Sequence, residues 1–154
     1  MINIQQISNL IPSASEWVEE QESLILSKGI KLNAKQMDLA TKIGILKIEK
    51  VRLLNTDTIP LPINPLLNLA IKHIGLISDS TIGITFRYGI YIRSDHWQDE
   101  SLLIHELTHT MQYEKLGSIT NFLNQYIKEC YYYGYDKSPL EIEARAMESI
   151  INEK

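Results

Sequence analysis

The sequence predicts an α+β fold, with several helices packed on a small, mostly antiparallel sheet. Three observations lead there. Apolar residues recur at three- and four-residue spacings along most of the chain, as a helix face requires. Two shorter stretches, 45–54 and 82–93, alternate as strands do. Serine, asparagine, glycine and proline stand where such segments should begin and end.

The first helix is expected over Ser13 to Lys28. Ser13 or Ser15 caps it, Trp17, Val18, Leu24 and Ile25 supply apolar positions, and Gly29 closes it. A second helix follows Asn33 as cap and runs to Ile43, with Gly44 past its end. A strand is expected within Ile45 to Leu54. Ile59-Pro60-Leu61-Pro62-Ile63-Asn64-Pro65 places three prolines in six positions, which removes donors and fixes φ, so it reads as a rigid extended connector. Leu66 to Ile74 is a short helix ending near Gly75.

Ile82 to Arg93 carries the clearest strand pattern, with Ile82, Ile84 and Phe86 followed by Ile90 and Ile92. It reads as one bent strand or as a hairpin through Arg87-Tyr88-Gly89. Asp99 to Leu116 turns helical, with Gly117 as its C-cap. Ser118 caps a further helix through Ile119, Phe122, Leu123, Tyr126, Ile127 and Cys130, which Gly134 ends. Ser138-Pro139 opens the last helix, since proline is tolerated in a first turn.

The chain has 154 residues, enough to bury a real core in one domain. Dividing it at the proline-rich segment would leave two pieces each too small for an independent core. It therefore reads as a single domain over 1–154, with N-terminal helices in 1–58, a connector over 59–65 and a core over 66–154.

The composition is 44% hydrophobic and 22% charged, with a formal net charge of -4. The charges are scattered and form no basic stripe, which argues against a nucleic-acid partner. The single cysteine, Cys130, excludes an internal disulfide and falls in an apolar helical pattern, where cysteine acts as a small hydrophobe. Neither a basic, apolar secretory leader nor about 18 successive apolar residues is present, so a cytoplasmic protein with no membrane partner is expected.

The chemistry-bearing motif is His105-Glu106-Leu107-Thr108-His109, an H-E-x-x-H sequence inside the Asp99–Leu116 helix. Residues four apart share a helix face, so both imidazoles can reach one metal ion. Glu106 lies about 100° round the helix and approaches the ion's open side instead of competing as a ligand. Zinc lowers the pKa of a bound water to about 7, and a carboxylate within hydrogen-bond range can take the proton. Histidine is scarce, four in the chain, and two of the four stand in this frame.

A catalytic zinc usually keeps three protein ligands and one open position. No histidine follows His109, so a third imidazole would be His73 or His96. The acidic candidates after His109 are Glu114, Glu129, Asp136, Glu141, Glu143, Glu148 and Glu153. Ser138-x-x-Glu141 is also a capping box, in which the Glu141 carboxylate would only serve the helix N-terminus. On the last helix Leu140, Ala144, Met147 and Ile151 share a face, and Glu143 lies nearer to it than Glu141 does.

His105 to Gln112, followed by a helix and then Pro139-Leu140-Glu141-Ile142-Glu143-Ala144-Arg145, resembles the zincins. It looks most like thermolysin-type gluzincins and small bacterial HExxH domains taken to be metallopeptidases. The resemblance runs from about Ile82 to Met147. It implies a zincin-like fold with the H-E-x-x-H on a central active-site helix, and Zn2+ as cofactor. In gluzincins the third ligand is a glutamate on a later helix, followed three residues on by a small residue. Glu141 with Ala144 fits that frame, and Glu143 with Ala146 fits it less well. One position departs: relatives often place Asp or Asn four residues after the ligand glutamate, where this chain has Arg145.

The resemblance thus implies a zinc-dependent metallopeptidase-like hydrolase acting on a peptide or protein, with His105, His109 and Glu141 as ligands and Glu106 as general base. Two alternatives stand beside it: a non-catalytic zinc module used for partner binding, and a zinc hydrolase of a non-peptide substrate. Gln112 is close enough to bond near the site. One hydroxyl of the Tyr131-Tyr132-Tyr133-Gly134-Tyr135 cluster can serve an oxyanion. The 82–93 strand stands where zincins carry the edge strand to which an extended peptide adds.

Overall fold

The structure, a computed structural model, describes residues 2–152, apart from the side chain of Asn152. Among the described residues, seven α-helices surround a four-stranded sheet: α1 (Ile4–Asn9), α2 (Ile11–Lys28), β1 (Ile30–Lys31), α3 (Ala34–Ile43), β2 (Arg52–Thr56), α4 (Pro65–His73), β3 (Gly83–Phe86), β4 (Gly89–Arg93), α5 (Glu100–Leu116), α6 (Ile119–Tyr133) and α7 (Pro139–Asn152). The architecture is α+β, as the alternation of periods predicts.

The strand order is β1-β2-β4-β3, with β1–β2 and β4–β3 antiparallel and β2–β4 parallel, so the sheet is mixed. Its two faces bury different cores because successive strand side chains point oppositely. Leu53, Ile90 and Ile92 face a cluster with α3 and α5, whereas Phe86, Tyr91 and Ile84 join α2, α4 and α6. Eleven of the seventeen α5 residues are buried, which makes α5 an interior helix.

Local chemistry places most boundaries where expected. Asn33 caps α3 in a reciprocal box with Gln36, and Gly44 leaves that helix at φ 104°. Asp99 caps α5 through the Leu102 amide, and Gly117 ends it at φ 95°. The Ser118 side chain accepts from the Asn121 amide at the start of α6. Pro65 is the first residue of α4, not the last of the connector, because a first-turn position needs no N–H.

Three expectations are corrected. The first long helix starts at Ile11 after Leu10, with no side-chain cap, so Ser13 and Ser15 lie inside it and Ser15 instead meets the Thr120 hydroxyl at 3.0 Å. The strand foreseen within 45–54 begins only at Arg52, after a short 3-10 turn over Ile48–Lys50. Ile45 is buried but Leu46 is 83% exposed, and the Leu46 and Lys47 amides bond the Glu114 carboxylate at 2.8 and 3.0 Å in place of a neighbouring strand. The 82–93 segment is a hairpin whose two-residue turn is Arg87-Tyr88, with Gly89 already paired in β4. Gly89 serves α2 packing: a Cβ there would lie 2.9 Å from that of Ile25. Two small elements, α1 and β1, were not anticipated.

The hairpin turn is held on both sides. Arg87 adopts φ 58°, unusual for a non-glycine residue. Its guanidinium forms a bidentate pair with buried Glu22 of α2 at 2.8 and 2.7 Å, and the same carboxylate accepts the Tyr88 amide at 3.0 Å. From the other side, the Thr110 hydroxyl of α5 donates to the Arg87 carbonyl at 2.6 Å. These bonds fix β3, an edge strand, against the helix that carries the H-E-x-x-H sequence.

Candidate metal centre

His105 and His109 project from the same face of α5, one turn apart, with ring centroids 5.0 Å apart. Glu141, in the first turn of α7, reaches between them and is 1% exposed. One carboxylate oxygen lies 2.9 Å from His105 Nε2, and the other 2.9 Å from His109 Nε2. The three residues each offer a ligand atom within 4.8 Å of the others, so the group can hold a metal ion.

The opposite edge of each imidazole is also held. His105 Nδ1 lies 2.8 Å from a Glu148 oxygen, and His109 Nδ1 lies 2.7 Å from the Gln112 side-chain oxygen. An acceptor at Nδ1 holds a ring proton there, so the proton that Nε2 shares with Glu141 is the one a metal ion would displace. Gln112, 1% exposed, is itself fixed, since its amide nitrogen donates to the Leu140 carbonyl and to Glu143 at 2.9 and 2.8 Å. Glu143 therefore serves Gln112, while Glu141 faces the histidines.

Tyr126 of α6 donates its hydroxyl to Glu141 at 2.6 Å. The capping-box alternative for Glu141 separates by atom. Its backbone amide bonds the Ser138 hydroxyl, whereas the side chain turns inward to the histidines and Tyr126. A different carboxylate, Glu129, takes the Leu140 amide at the start of α7.

Electrostatics follow from this packing. Burial alone pulls the His105 pKa down, but the hydrogen bond to Glu141 and the charges of Glu106 and Glu141, with Glu148 behind, outweigh it and push it up to about 9. His109 shows the same contest, with burial opposed by Glu141 and Glu106, and its pKa is raised. Burial acts to raise Glu141, yet the neighbouring imidazoles and the Tyr126 bond hold it well below the ordinary carboxylate range. Without metal the centre is thus an ion-paired cluster. Among the described residues no buried side-chain nitrogen or oxygen lacks a partner.

Glu106 stands beside the cluster, 5% exposed, and accepts the Thr85 hydroxyl of β3 at 2.8 Å. Gly83 lets the edge strand come this close, because a Cβ there would sit 3.3 Å from Glu106 Cγ and 3.2 Å from Leu102 Cδ1. An open groove of about 470 Å³ runs past His105, Glu106, Glu141 and Glu148, with Gly83 on one wall and Tyr135 and Arg145 on another. In the antiparallel ladder the Ile82 carbonyl bonds the Arg93 amide, so alternation turns the Gly83 and Thr85 main-chain groups away from β4. The Thr85 carbonyl meets the Tyr113 hydroxyl at 3.4 Å.

The other foreseen candidates lie elsewhere. His73 is exposed at the end of α4, and His96 sits 3.4 Å from Asp99 outside the cluster. Glu114 holds the 46–47 loop and Tyr88. Glu153 lies outside the described residues. Of the tyrosine cluster, Tyr135 alone lines the groove, while Tyr132 and Tyr133 are exposed. The sequence reading missed Thr85, Tyr126 and the role of Glu148. Glu148 was open to discovery, being seven residues, two turns, beyond Glu141 on the same helix face.

Comparison of the chain with profiles of known protein families, with curated proteins and with solved structures finds no match.

Proposed function

We propose that the protein is a zinc-dependent, metallopeptidase-like hydrolase with a zincin-like fold. The observation that carries this reading is the convergence of His105 Nε2, His109 Nε2 and the Glu141 carboxylate, with both imidazoles held at Nδ1 and Glu106 alongside. Two histidines and a carboxylate with an open groove beside them make a donor set suited to catalytic zinc. Zinc bonds of about 2.0–2.1 Å in a tetrahedron separate neighbouring ligand atoms by about 3.3 Å. The 2.9 Å contacts need to open by only a few tenths of an ångström.

When bound, zinc supplies Lewis acidity, acidifying water and polarising a carbonyl. The chain's own groups do the rest. Glu106 takes the proton from the attacking water and returns it to the leaving amine. Thr85 fixes one Glu106 oxygen and leaves the other for that exchange. Tyr135, whose phenol burial and the charges of Glu141 and Glu106 keep protonated, donates to the developing oxyanion. The outward main-chain groups of Gly83, at the groove end of β3, receive an extended peptide. Glu148 and Gln112 fill the role that Arg145 leaves vacant, holding the two histidines.

The zinc-loaded protein and its Glu106→Gln variant, incubated with an unfolded protein substrate, test the reading. Cleavage by the parent, with zinc retained but cleavage lost in the variant, is the expected result. Equal cleavage by both refutes the role of Glu106. A second reading, a zinc module used for partner binding, is favoured by one observation: the cluster is fully paired without metal. It predicts bound zinc with no hydrolysis by either protein.

A further inference from the structure

Arg145 has no part in holding the histidines, yet it stands among the groups that do. Glu141, Arg145 and Glu148 follow one another at four and three residues along α7, so they form one stripe, and all three line the groove. Carboxylates at those spacings commonly pair with an arginine. Here both are turned to the imidazoles, and among the described residues Arg145 makes no salt bridge. Its guanidinium donates instead to the main-chain carbonyl of Asp136.

That carbonyl belongs to the short loop between α6 and α7, which carries Tyr135. Gly134 leaves α6 at φ 86° and Pro139 begins α7. Between them the Lys137 amide meets the Gly134 carbonyl at 3.3 Å, and the Ser138 amide meets that of Tyr135 at 3.4 Å. Both are at the long, weak end of hydrogen bonding. Asp136 and Lys137 are exposed, so packing does little to hold this stretch. The Arg145 bond reaches back nine residues and ties the loop to the helix that supplies Glu141.

Resting on the hydrolase reading above, we propose that Arg145 is a positioning residue, which clamps the loop to α7 and so holds Tyr135 on the groove wall as oxyanion donor. A donor stabilises developing charge only when it is already in place, since ordering it during the reaction cancels the gain. A loop that wanders lowers the effective affinity for the transition state by the fraction of time it is misplaced. With the clamp, donor and metal ligand are both referenced to α7, and their separation is fixed.

Two measurements test it. The first is 15N relaxation of the Tyr135, Asp136 and Lys137 amides, whose order parameters should fall from about 0.85 in the parent to below about 0.6 in Arg145→Ala. The second is calorimetric binding of an alanyl-alanine phosphinic analogue, whose tetrahedral P–O⁻ stands in for the oxyanion, to the zinc-loaded proteins. A hydrogen bond from a charged donor shifts such an equilibrium by roughly tenfold, so Arg145→Ala should bind the phosphinate about tenfold more weakly. Arg145→Lys, which keeps a charged donor, should recover most of the loss. Zinc affinity should escape the roughly 10–100-fold loss that follows removal of a histidine's partner. Tyr135→Phe should also weaken phosphinate binding, and adding Arg145→Ala to it should cost nothing more, because the two changes act through one hydroxyl. Unchanged order parameters in Arg145→Ala overturn the clamp. A loss that persists in the Tyr135→Phe background shows the arginine acting on the ligand directly, and overturns it too while leaving the hydrolase reading standing. Full affinity in Tyr135→Phe overturns the proposal at the tyrosine. A parent that binds neither zinc nor the phosphinate overturns the metal reading beneath it, and the relaxation data still decide the clamp.

Discussion

Raising the pH on the metal-free protein should destabilise it, and the structure fixes the window. His105 is pushed up to about 9 from an ordinary 6.5, chiefly against its own burial and through Glu141. A group that binds its proton more tightly in the folded chain than in the unfolded one stabilises the fold while both forms are protonated. That contribution is complete below about pH 6.5 and is lost as pH rises through about 9. At about 1.36 kcal/mol per pKa unit the interval corresponds to at most about 3 kcal/mol. The side chain is only 13% exposed, so solvent screening removes little of it. Urea unfolding with a chelator at pH 6.5, 7.5, 8.5 and 9.5 should show a loss of about 2–3 kcal/mol across the series. Zinc should reverse the trend, because its ligands must be deprotonated and its binding releases protons. A metal-free stability that is flat or rises between pH 6.5 and 9.5 would refute the ion-paired account of the cluster.

Further expectations concern the supports of the site. Glu148→Ala removes the acceptor at His105 Nδ1 and should weaken zinc binding by about 10–100-fold in competition with a chromogenic chelator, with Glu148→Gln recovering much of it. Gln112→Leu should do the same through His109, because it also strands Glu143. Glu22→Ala leaves Arg87 and the Tyr88 amide without their partner, and it should cost about 3 kcal/mol in urea unfolding. Leu107→Ala, at a side chain with no exposure, should cost about 2–5 kcal/mol with zinc affinity little changed.

The parts of this fold legible in the sequence are those that short-range chemistry decides. Asn33, Gly44, Gly117 and Ser118 mark helix ends because a cap bonds within its own turn. The histidines of the cluster are legible for the same reason, since one helix sets their spacing. What escaped depends on residues far apart in the chain. The 45–54 segment alternates in sequence, but its amides find Glu114, 68 residues from Leu46, before they find a strand. Gly89 looks like a turn residue until Ile25 is seen beneath it. Thr85 and Tyr126 enter the site only because α2, α5 and α6 close on one edge of the sheet. The reciprocal Asn3–Gln6 box that starts α1 was in plain view, yet six residues carry too little periodicity to signal a helix.

The central claim, that His105, His109 and Glu141 hold a metal ion, is tested most directly by elemental analysis of the purified protein beside its His105→Ala variant, both brought to equal zinc activity and dialysed. About one zinc per chain in the parent and none in the folded variant is the predicted result. Equal metal in both, or none in a parent that also shows no change in stability when zinc is added, would contradict it.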